Sequence, residues 1–456
     1  MKILIVAKFW DSSAGIGALR PMKIAKYLIK AGHDVAVVCG DEYAGFDFFE
    51  SQRLDESYKP RYFQLPAFSY SGIVAKEDRL YKRRNDAKAV CASSSQNSAT
   101  DTLEKPKKQS LLNKLKWLLY KTLYSSFKIS NTVKCSLKAI DQKLPFEPDI
   151  IFSSFAPEEV HFLAMKLKKM YPHAFWIADF RDPMANALTQ SPLEYSYKLY
   201  RQKKVFAKAD AVTVVSQTWR DEFASLGAKN AITLYSGFDT DDFADLKQAS
   251  PCDGKLTFAY TGSLYPGLSD LTPFFEALNE LFIEGAIDPA KIRLVYAGAH
   301  GAEFDSQSSS LPKEVEIINH GLVSRKESIS LLMHSDILLH ALFCYPETRG
   351  IITGKLGEYW ASGKPVLAII TGTARADEFI SILEKSGTGF SYDGTCHDKS
   401  FTELKKHIIH QYQRKMNDIE LVYKKNDDFI EVFNYIKIAE RLISFEKSRH
   451  PEKTIF

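Results

Sequence analysis

The sequence lacks the features that mark membrane, zinc-binding and disulfide-rich proteins. No apolar run approaches the ~18 residues that span a bilayer. The first apolar stretch, Ile3 to Ala7, is shorter than the signal-peptide core of about 7–15 residues, so we interpret it as a buried strand. The six cysteines form no CxxC pair and have no histidines at zinc-ligand spacing. We therefore expect free thiols, a cytoplasmic location and no bound metal.

The overall charge also lacks a strong sign. The 456 residues carry a net charge of +4, too small to predict nucleic acid as the main partner. With 45% apolar and 25% charged residues, the composition is that of a soluble globular protein of two or three domains. The charge is uneven, however, because residues 105–143 contain ten lysines and one acidic residue, which gives this segment +9.

Strands and helices alternate from the start of the chain. Residues 3–7 predict a strand, Pro21 to Ala31 a helix ending before Gly32, and residues 34–39 a second strand. This βαβ unit predicts a parallel sheet with helices on both faces. Further strands are predicted at residues 149–153, 174–178, 211–215 and 231–234.

A second series of the same kind begins after about residue 245. Its predicted strands are 256–260, 292–296, 315–319, 336–340 and 365–370, and the last ~45 residues are predicted to be helical. The fold class is therefore α/β with two Rossmann-like domains. We expect the first to span 1–240 with a basic insertion at about 68–143, the second to span 250–412, and a helical segment to span 413–456.

The basic segment predicts an amphipathic helix over residues 111–140. One face carries Leu112, Leu115, Leu119, Leu123, Phe127, Val133, Leu137 and Ile140, and the opposite side carries Lys114, Lys121 and Lys128. Two interpretations stay open. The helix lies on an anionic membrane surface and makes the protein peripheral to the inner face of the membrane, or it packs its apolar face on its own domain. Residues 92–100, rich in Ser, Asn and Gln, predict a mobile loop.

Two early motifs are candidates for ligand binding. Gly15 and Gly17 lie between the first strand and helix, where backbone N–H groups can face an anion, although this is also an ordinary βα turn. Asp179, Arg181 and Asp182 follow the strand in "WIADFRDPM" at the edge where open α/β sheets bind ligands. They can take a hydroxyl proton and hold a phosphate, or they can form an ion pair that fixes the loop.

The densest motif is "TGKLGEYWASGKPV", which starts at Thr353. A helix beginning near Lys355 would direct its N-terminus, with Thr353 and Gly354, toward a diphosphate. Glu358, one turn later, can accept hydrogen bonds from ribose or sugar hydroxyls. Gly363 is expected to end the helix. The alternative is a surface helix with ordinary capping.

The order of motifs resembles that of the family 4-like glycosyltransferases of the GT-B fold, of the type that acts on bacterial surface polysaccharides. The matching segments are the Gly15–Gly17 turn, "IAKYLIKAGHDVAVV", "WIADFRDPM", "ADAVTVVSQTWRDEF", "LYSGFDTDDF", "FAYTGSLY", "LVYAGAH", "GLVSRKESISLLMHSDILL" and "GKLGEYWASGKPVLAI". They cover most of the chain apart from about 45–145.

This resemblance implies a hexosyltransferase-like enzyme that moves a sugar from a nucleotide-sugar to a hydroxyl of a glycan or lipid-linked acceptor. The first domain would hold the acceptor and the second the donor, with transfer in the cleft between them, usually with retention and without a metal or other cofactor. The final helix would cross back to the first domain. The implied catalytic residues are Asp179, Arg181, Asp182 and Glu358, and the implied donor-binding residues are Gly15, Gly17, Thr261, Gly262, Ser263, Gly298, Leu322, Val323, Thr353, Gly354, Lys355 and Glu358.

The sequence also departs from the family pattern. Of the family's two glutamates eight positions apart, only Glu358 is kept, because position 350 is Gly350. The usual Arg and Lys after the first strand of the second domain are missing, and Arg181 or a neighbour replaces the usual histidine. Asp239 and Asp241 resemble a metal-binding DxD but lie in the linker signature, so no metal is predicted. A nucleotide-sugar 2-epimerase and a non-catalytic nucleotide-sugar-binding subunit remain alternatives.

Overall fold

A computed structural model describes residues 1–11, 16–69, 111–244, 253–419, 421 and 423–447, with the backbone alone for residues 16 and 111–123. Within these ranges the chain forms two compact units. The first comprises Met1–Val212 and Gly227–Asn230, and the second comprises Thr213–Leu226 and Ala231–Phe456. Gly15 and most of the 68–110 segment, including the predicted loop at 92–100, lie outside the described residues.

The first sheet has seven strands in the order β3-β2-β1-β4-β5-β6-β7. The strands are β1 (Lys2–Val6), β2 (Asp34–Gly40), β3 (Tyr62–Ala67), β4 (Ile150–Ser154), β5 (Phe175–Phe180), β6 (Ala211–Val214) and β7 (Ala231–Thr233). Parallel pairing runs from β3 through β2, β1 and β4 to β5, with Ile3 opposite both Val35 and Ile150. Ile3 to Val6 are fully buried, as expected for a central parallel strand covered on both faces.

The second sheet has six strands in the order β10-β9-β8-β11-β12-β13. They are β8 (Leu256–Thr261), β9 (Ile292–Ala297), β10 (Glu316–Asn319), β11 (Ile337–Phe343), β12 (Val366–Thr371) and β13 (Gly389–Asp393). Alternate residues of β8 enter different cores: Phe258 and Tyr260 join one cluster, and Ala259 joins the other. Both faces of this sheet are therefore buried, which explains its continuous apolar runs.

The described helices connect and cover these strands. They are α1 (Ile16–Lys30), α2 (Phe48–Gln52), α3 (Leu111–Ile140), α4 (Glu159–Met170), α5 (Pro192–Phe206), α6 (Gln217–Ser225), α7 (Thr272–Ile283), α8 (Gly301–Gln307), α9 (Arg325–Met333), α10 (Lys355–Ser362), α11 (Asp377–Ser386), α12 (His397–Met416), α13 (Asp427–Glu431) and α14 (Tyr435–Lys447). Near the C-terminus, the Phe433 ring packs on Tyr235 and Trp360, and Phe238 exchanges backbone hydrogen bonds with Phe433 and Tyr435.

The predicted parallel α/β fold with two Rossmann-like domains is confirmed. All predicted strands are present, but β3 and β13 were not predicted. Both are edge strands, and their sequences YFQLPA and GFSYD lack a continuous apolar run because only part of each is buried.

The basic helix α3 has the predicted bounds, and its described half follows the predicted apolar face apart from Phe127. Where its side chains are described, Ile129, Val133 and Ile140 are buried, whereas Phe127 is 52% exposed. The helix packs on β3 and α4, and Ser136 Oγ accepts a hydrogen bond from Phe68 N at 3.0 Å. This half therefore packs on its own domain, and Phe127 was wrongly assigned to the packed face. Leu112, Leu115, Leu119, Leu123, Lys114 and Lys121 lie where only the backbone is described.

No helix in the described ranges has the length and apolar character needed to cross a bilayer.

Candidate functional site

Three turns follow β8, β9 and β10 at the carboxyl edge of the second sheet. Gly262 N donates to Ala297 O at 2.7 Å, and Gly298 N donates to Gly321 O at 2.8 Å, so the turns are joined by backbone hydrogen bonds. A Cβ on Gly298 would lie 2.0 Å from Gly262 O. The close approach of the first two turns therefore requires glycine at 298.

The first of these turns contains the predicted residues Thr261, Gly262 and Ser263. Thr261 is buried at the end of β8, and Ser263 O accepts from the Tyr260 hydroxyl at 2.8 Å. Gly262 has φ +113°, and a Cβ there would lie 2.5 Å from Lys355 Cε. Glycine at 262 therefore gives both the turn conformation and the space that the Lys355 side chain occupies.

Helix α10 begins beside this turn. Gly354 is its N-cap residue and offers no side chain to the first N–H groups, while Gly363 ends it at φ +70°, as predicted. A helix N-terminus without a side-chain cap retains donors and partial positive charge for an anion. Thr353, Gly354, Lys355 and Gly262 are thus brought together at one edge of the second sheet.

Lys355 makes its contacts with Tyr260 of β8. Its ammonium donates to the Tyr260 hydroxyl at 2.7 Å and lies 4.1 Å from the ring centroid. Burial lowers the pKa of Lys355 to about 7, and the carboxylate of Glu358 opposes this shift. Burial raises the pKa of Tyr260 well above its usual value, so the phenol is neutral. Within the described ranges no carboxylate contacts the Lys355 ammonium directly, so an anion at this edge would meet a lysine without a counter-charge from those residues.

His340 holds Thr353, the residue before the N-cap of α10. It was not predicted from the sequence. It is buried on β11, and its Nε2 forms a hydrogen bond of 2.6 Å with Thr353 Oγ1. Burial, and then the charge of Lys355, lower the pKa of His340 to about 3. The imidazole is therefore neutral, and it holds Thr353 without adding charge. No local motif marks this pair, because His340 is on the preceding strand.

Glu358 is held by a residue that sequence reasoning also missed. Arg325, the first residue of α9, donates to Glu358 Oε1 at 2.5 Å and to Asp242 Oδ2 at 3.0 Å. Burial alone would lower the pKa of Arg325, but the two carboxylates outweigh it and raise that pKa. The three charges are 33 and 83 residues apart, so no spacing rule could have found them.

Leu322 and Val323 lie in the turn after β10. Leu322 is 81% exposed, and Val323 is partly buried just before Ser324. Ser324 caps α9 and forms a capping box with Glu327, which fixes the start of this helix. The exposed Leu322 can pack against an apolar ring. No described contact joins Leu322 to Lys355.

A cavity of about 200 Å³ lies along the loop that leads into α10, lined among others by Ile352, Gly350 and Glu378. Glu378 accepts hydrogen bonds from Gln217 N at 2.6 Å and from Thr218 N at 2.9 Å, at the start of α6. The loop that leads into α10 also packs closely against the start of α6.

Gly350 has φ +88°, and a Cβ on it would lie 2.9 Å from both Thr218 Cβ and Trp219 Cδ1. The loop position where the family has its first glutamate therefore holds a residue without a side chain.

In the first unit, Arg181 joins the predicted Gly17 turn to β5. Its Nε donates to Phe155 O at 2.6 Å, and its Nη1 donates to Gly17 O at 2.8 Å. The guanidinium thus holds two backbone carbonyls at the carboxyl edge of the first sheet. The structure brings Gly17 and Arg181 together, while Gly15 lies outside the described residues.

Asp179 and Asp182 differ sharply in surroundings. Asp179 is fully buried, with Arg20 Nη2 at 2.7 Å from Oδ1 and Arg20 Nε at 3.0 Å from Oδ2. Ser154 Oγ also donates to Oδ2 at 2.9 Å. This bidentate pair favours the loop-fixing interpretation for Asp179. Asp182 is exposed two residues beyond β5, so of the two carboxylates it is the one open to a substrate.

The DxD-like segment forms a local turn. Asp239 Oδ1 accepts from Asp241 N at 3.0 Å and caps the short helix over 240–242. In the ranges that the structure describes, no three His, Cys, Asp or Glu side chains are grouped as a metal site would require.

Comparison with known proteins shows likeness at the level of structure. The sequence matches no protein-family model and no curated protein sequence. HepE from Anabaena, solved in complex with UDP, aligns with a TM-score of 0.55 at 14% identity over 98% of this chain and 100% of that chain.

The lipopolysaccharide outer core galactosyltransferase WaaB aligns with a TM-score of 0.51 at 14% identity, over 98% of this chain and 100% of that one. A UDP-N-acetylglucosamine 2-epimerase aligns with a TM-score of 0.51 at 10% identity, over 100% and 97%.

The protein has the GT-B fold, in which two Rossmann-like domains form one chain. Glycosyltransferases and nucleotide-sugar epimerases share this fold, and at these identities the likeness defines the fold alone. The predicted fold class is confirmed, whereas the individual site residues remain predictions.

Proposed function

We propose that this protein is a glycosyltransferase that moves a sugar from a nucleotide-sugar to a hydroxyl of a glycan or lipid-linked glycan. The observation that carries the proposal is the uncapped N-terminus of α10, where Lys355 crosses Gly262 and lies on Tyr260. A lysine whose pKa is lowered by burial, beside a helix N-terminus without a side-chain cap, is suited to a doubly charged ligand. A diphosphate has the negative charge that these donors can bind.

The reaction requires charge stabilisation on the leaving nucleoside diphosphate. As the bond to the sugar breaks, negative charge builds on the diphosphate, and preorganised donors stabilise it without reorganising. The N–H groups of α10, the Lys355 ammonium and the backbone of residues 261–263 supply these donors. The cavity beside residues 350–352 is where we place the sugar, and Leu322 and Val323 would border the base.

The acceptor side is assigned to the first unit. Asp182 is exposed at the end of β5 and is the carboxylate we propose for the acceptor hydroxyl. Arg181 and Asp179 would shape the loop around it. Transfer with retention and without a metal follows from the resemblance to family 4-like enzymes, as does a role in surface-polysaccharide synthesis.

An anionic membrane surface is proposed as a further partner through residues 111–140. In the described half of α3, Phe127, Lys134 and Lys138 are exposed, while the opposite face is packed. An exposed aromatic ring with lysines can bind at an anionic bilayer surface, where a lipid-linked acceptor would lie.

The fold itself favours one second candidate, a nucleotide-sugar 2-epimerase, because such an enzyme aligns over the whole chain. The two activities differ in their products. Incubation with a nucleotide-sugar alone yields an epimerised nucleotide-sugar from an epimerase, whereas a transferase requires an acceptor and releases a nucleoside diphosphate.

The test begins with thermal unfolding in the presence of a panel of nucleotide-sugars, because a ligand that binds the native state raises its melting temperature. The best donor is then assayed for turnover with glycan acceptors. Lys355→Met should abolish the thermal shift, while Lys313→Met, which removes an exposed lysine of the same unit, should keep it. A panel without any thermal shift would contradict the proposal.

A further inference from the structure

Arg325 connects three parts of the second unit that are distant in sequence. It starts α9, contacts Glu358 on α10 at 2.5 Å, and contacts Asp242 after β7 at 3.0 Å. The side chains of Arg325, Glu358 and Asp242 are 30%, 20% and 18% exposed, so the group is partly shielded from water. A guanidinium between two carboxylates has its donors in fixed directions and holds both acids in place.

The arrangement leaves Glu358 half-occupied. Arg325 binds Oε1, and in the described part of the chain no hydrogen bond to Oε2 is formed. Arg325 contacts both carboxylates, so Glu358 shares its counter-charge with Asp242 and keeps part of its negative charge. A phosphate would be repelled by that charge, whereas a hydroxyl can donate to the open oxygen. Glu358 also lies one turn beyond Lys355, so a ligand with its diphosphate at Lys355 would bring its ribose near Glu358.

We propose that Arg325 is a positioning residue of the nucleotide site, which orients Glu358 so that its open oxygen accepts a ribose hydroxyl, while Asp242 holds Arg325 in place. The inference rests on the proposed function, because it takes the ligand to be a ribonucleotide. Arg325 itself does not touch the ligand. Its effect is on the geometry of Glu358, and it should therefore appear only with ligands that carry ribose hydroxyls.

The same unit contains a matched control. Arg293 also lies between two carboxylates, with Asp253 at 2.5 Å and Glu316 at 2.8 Å. It is the second residue of β9 and so lies at the amino edge of the sheet, opposite the candidate site. Glu316 also pairs with Lys255 at 2.8 Å, so removing the charge of Arg293 breaks an arginine–carboxylate group of similar kind away from the nucleotide site.

The experiment measures binding of two probes by calorimetry to the full-length protein. UDP carries both ribose hydroxyls, and 2′,3′-dideoxyuridine diphosphate carries neither. Wild-type protein should bind UDP at least about tenfold more tightly, because a hydrogen bond to a charged group has about that effect. Arg325→Gln should reduce this ratio to about twofold or less by weakening UDP binding alone. Arg325→Lys should retain part of the ratio, and Arg293→Gln should retain all of it.

The outcomes separate the inference from the proposed function. If wild type prefers UDP and Arg325→Gln keeps the full preference, or Arg293→Gln loses it equally, Arg325 does not position Glu358. Equal binding of both probes by wild type would also overturn the inference, because Glu358 would not contact ribose. If wild type binds neither these probes nor ADP, GDP or CDP, the proposed function itself fails. Circular dichroism and melting temperature establish that each variant is folded.

Discussion

The lowered pKa of Lys355 makes donor binding depend on pH. The ammonium that would bind the diphosphate has a pKa of about 7 in the free protein because of burial. An anionic ligand stabilises the charged form, so binding takes up a proton wherever the free lysine is neutral. The sign follows directly. Affinity is highest below pH 7, where Lys355 is already protonated, and it falls as the pH rises through 7.

The size of the effect follows from the protonated fraction. With a pKa of about 7, roughly nine-tenths of Lys355 is charged at pH 6 and roughly one-tenth at pH 8. Affinity should therefore drop about tenfold between these values. Two groups beside the start of α10 do not titrate in this interval, since the pKa of His340 is about 3 and that of Tyr260 is far above its usual value.

Calorimetry at pH 6, 7 and 8 measures this effect with the nucleotide-sugar that gives the largest thermal shift. A nucleotide-sugar is preferable to a free nucleoside diphosphate, whose terminal phosphate titrates near pH 6. Two buffers of different ionisation heat report the proton taken up at pH 8. Lys355→Met should bind weakly and with no pH dependence. The reasoning is refuted if wild type binds equally at pH 6 and pH 8, or if Lys355→Met keeps the same dependence.

Three further predictions test other features. Asp179→Asn breaks a fully buried ion pair with Arg20, at a cost of about 3–5 kcal/mol, so calorimetry should show melting lowered by roughly 10 °C; unchanged melting with lost turnover would indicate a substrate contact instead. Gly262→Ala should weaken nucleotide binding at least about tenfold in calorimetry, because a Cβ there would lie 2.5 Å from Lys355 Cε. The control is Gly285→Ala, which should bind as wild type does, because Gly285 also has a positive φ but has open space around it. Lys134→Glu with Lys138→Glu should reduce sedimentation with phosphatidylserine vesicles at low salt, each lysine contributing about 1 kcal/mol; failure of wild type to sediment would exclude the membrane surface.

The sequence predicted those parts of the fold that depend on local patterns. Continuous apolar runs such as residues 256–260 marked buried parallel strands, and Gly363 followed by Pro365 marked the end of α10. The edge strands β3 and β13 were missed because only part of each is buried, so neither has a continuous apolar run. The prediction that Phe127 lies on the packed face of α3 was wrong. Thr132 and Ser136 are buried on that face, and such polar residues obscure the periodicity of its apolar residues.

The candidate site was predictable only where its residues are neighbours in sequence. Residues 353–358 form one helical turn, so spacing alone joined Lys355 to Glu358. Arg325 and His340 reach that turn from other elements, and tertiary packing alone brings them there. The same limitation explains Asp179. Its charge beside Arg181 looked functional in sequence, but in the structure it pairs with Arg20, 159 residues away.

The packing of Gly350 against α6 limits how this protein can be redesigned. Restoring the family's paired glutamates would require Gly350→Glu, yet any Cβ there would lie 2.9 Å from Thr218 and Trp219, on a backbone with φ +88°. A saturation library at this position alone should therefore return glycine in nearly all folded clones. An engineer who wants the second carboxylate must first remodel the start of α6 and the loop together, so the two segments have to be varied as one unit.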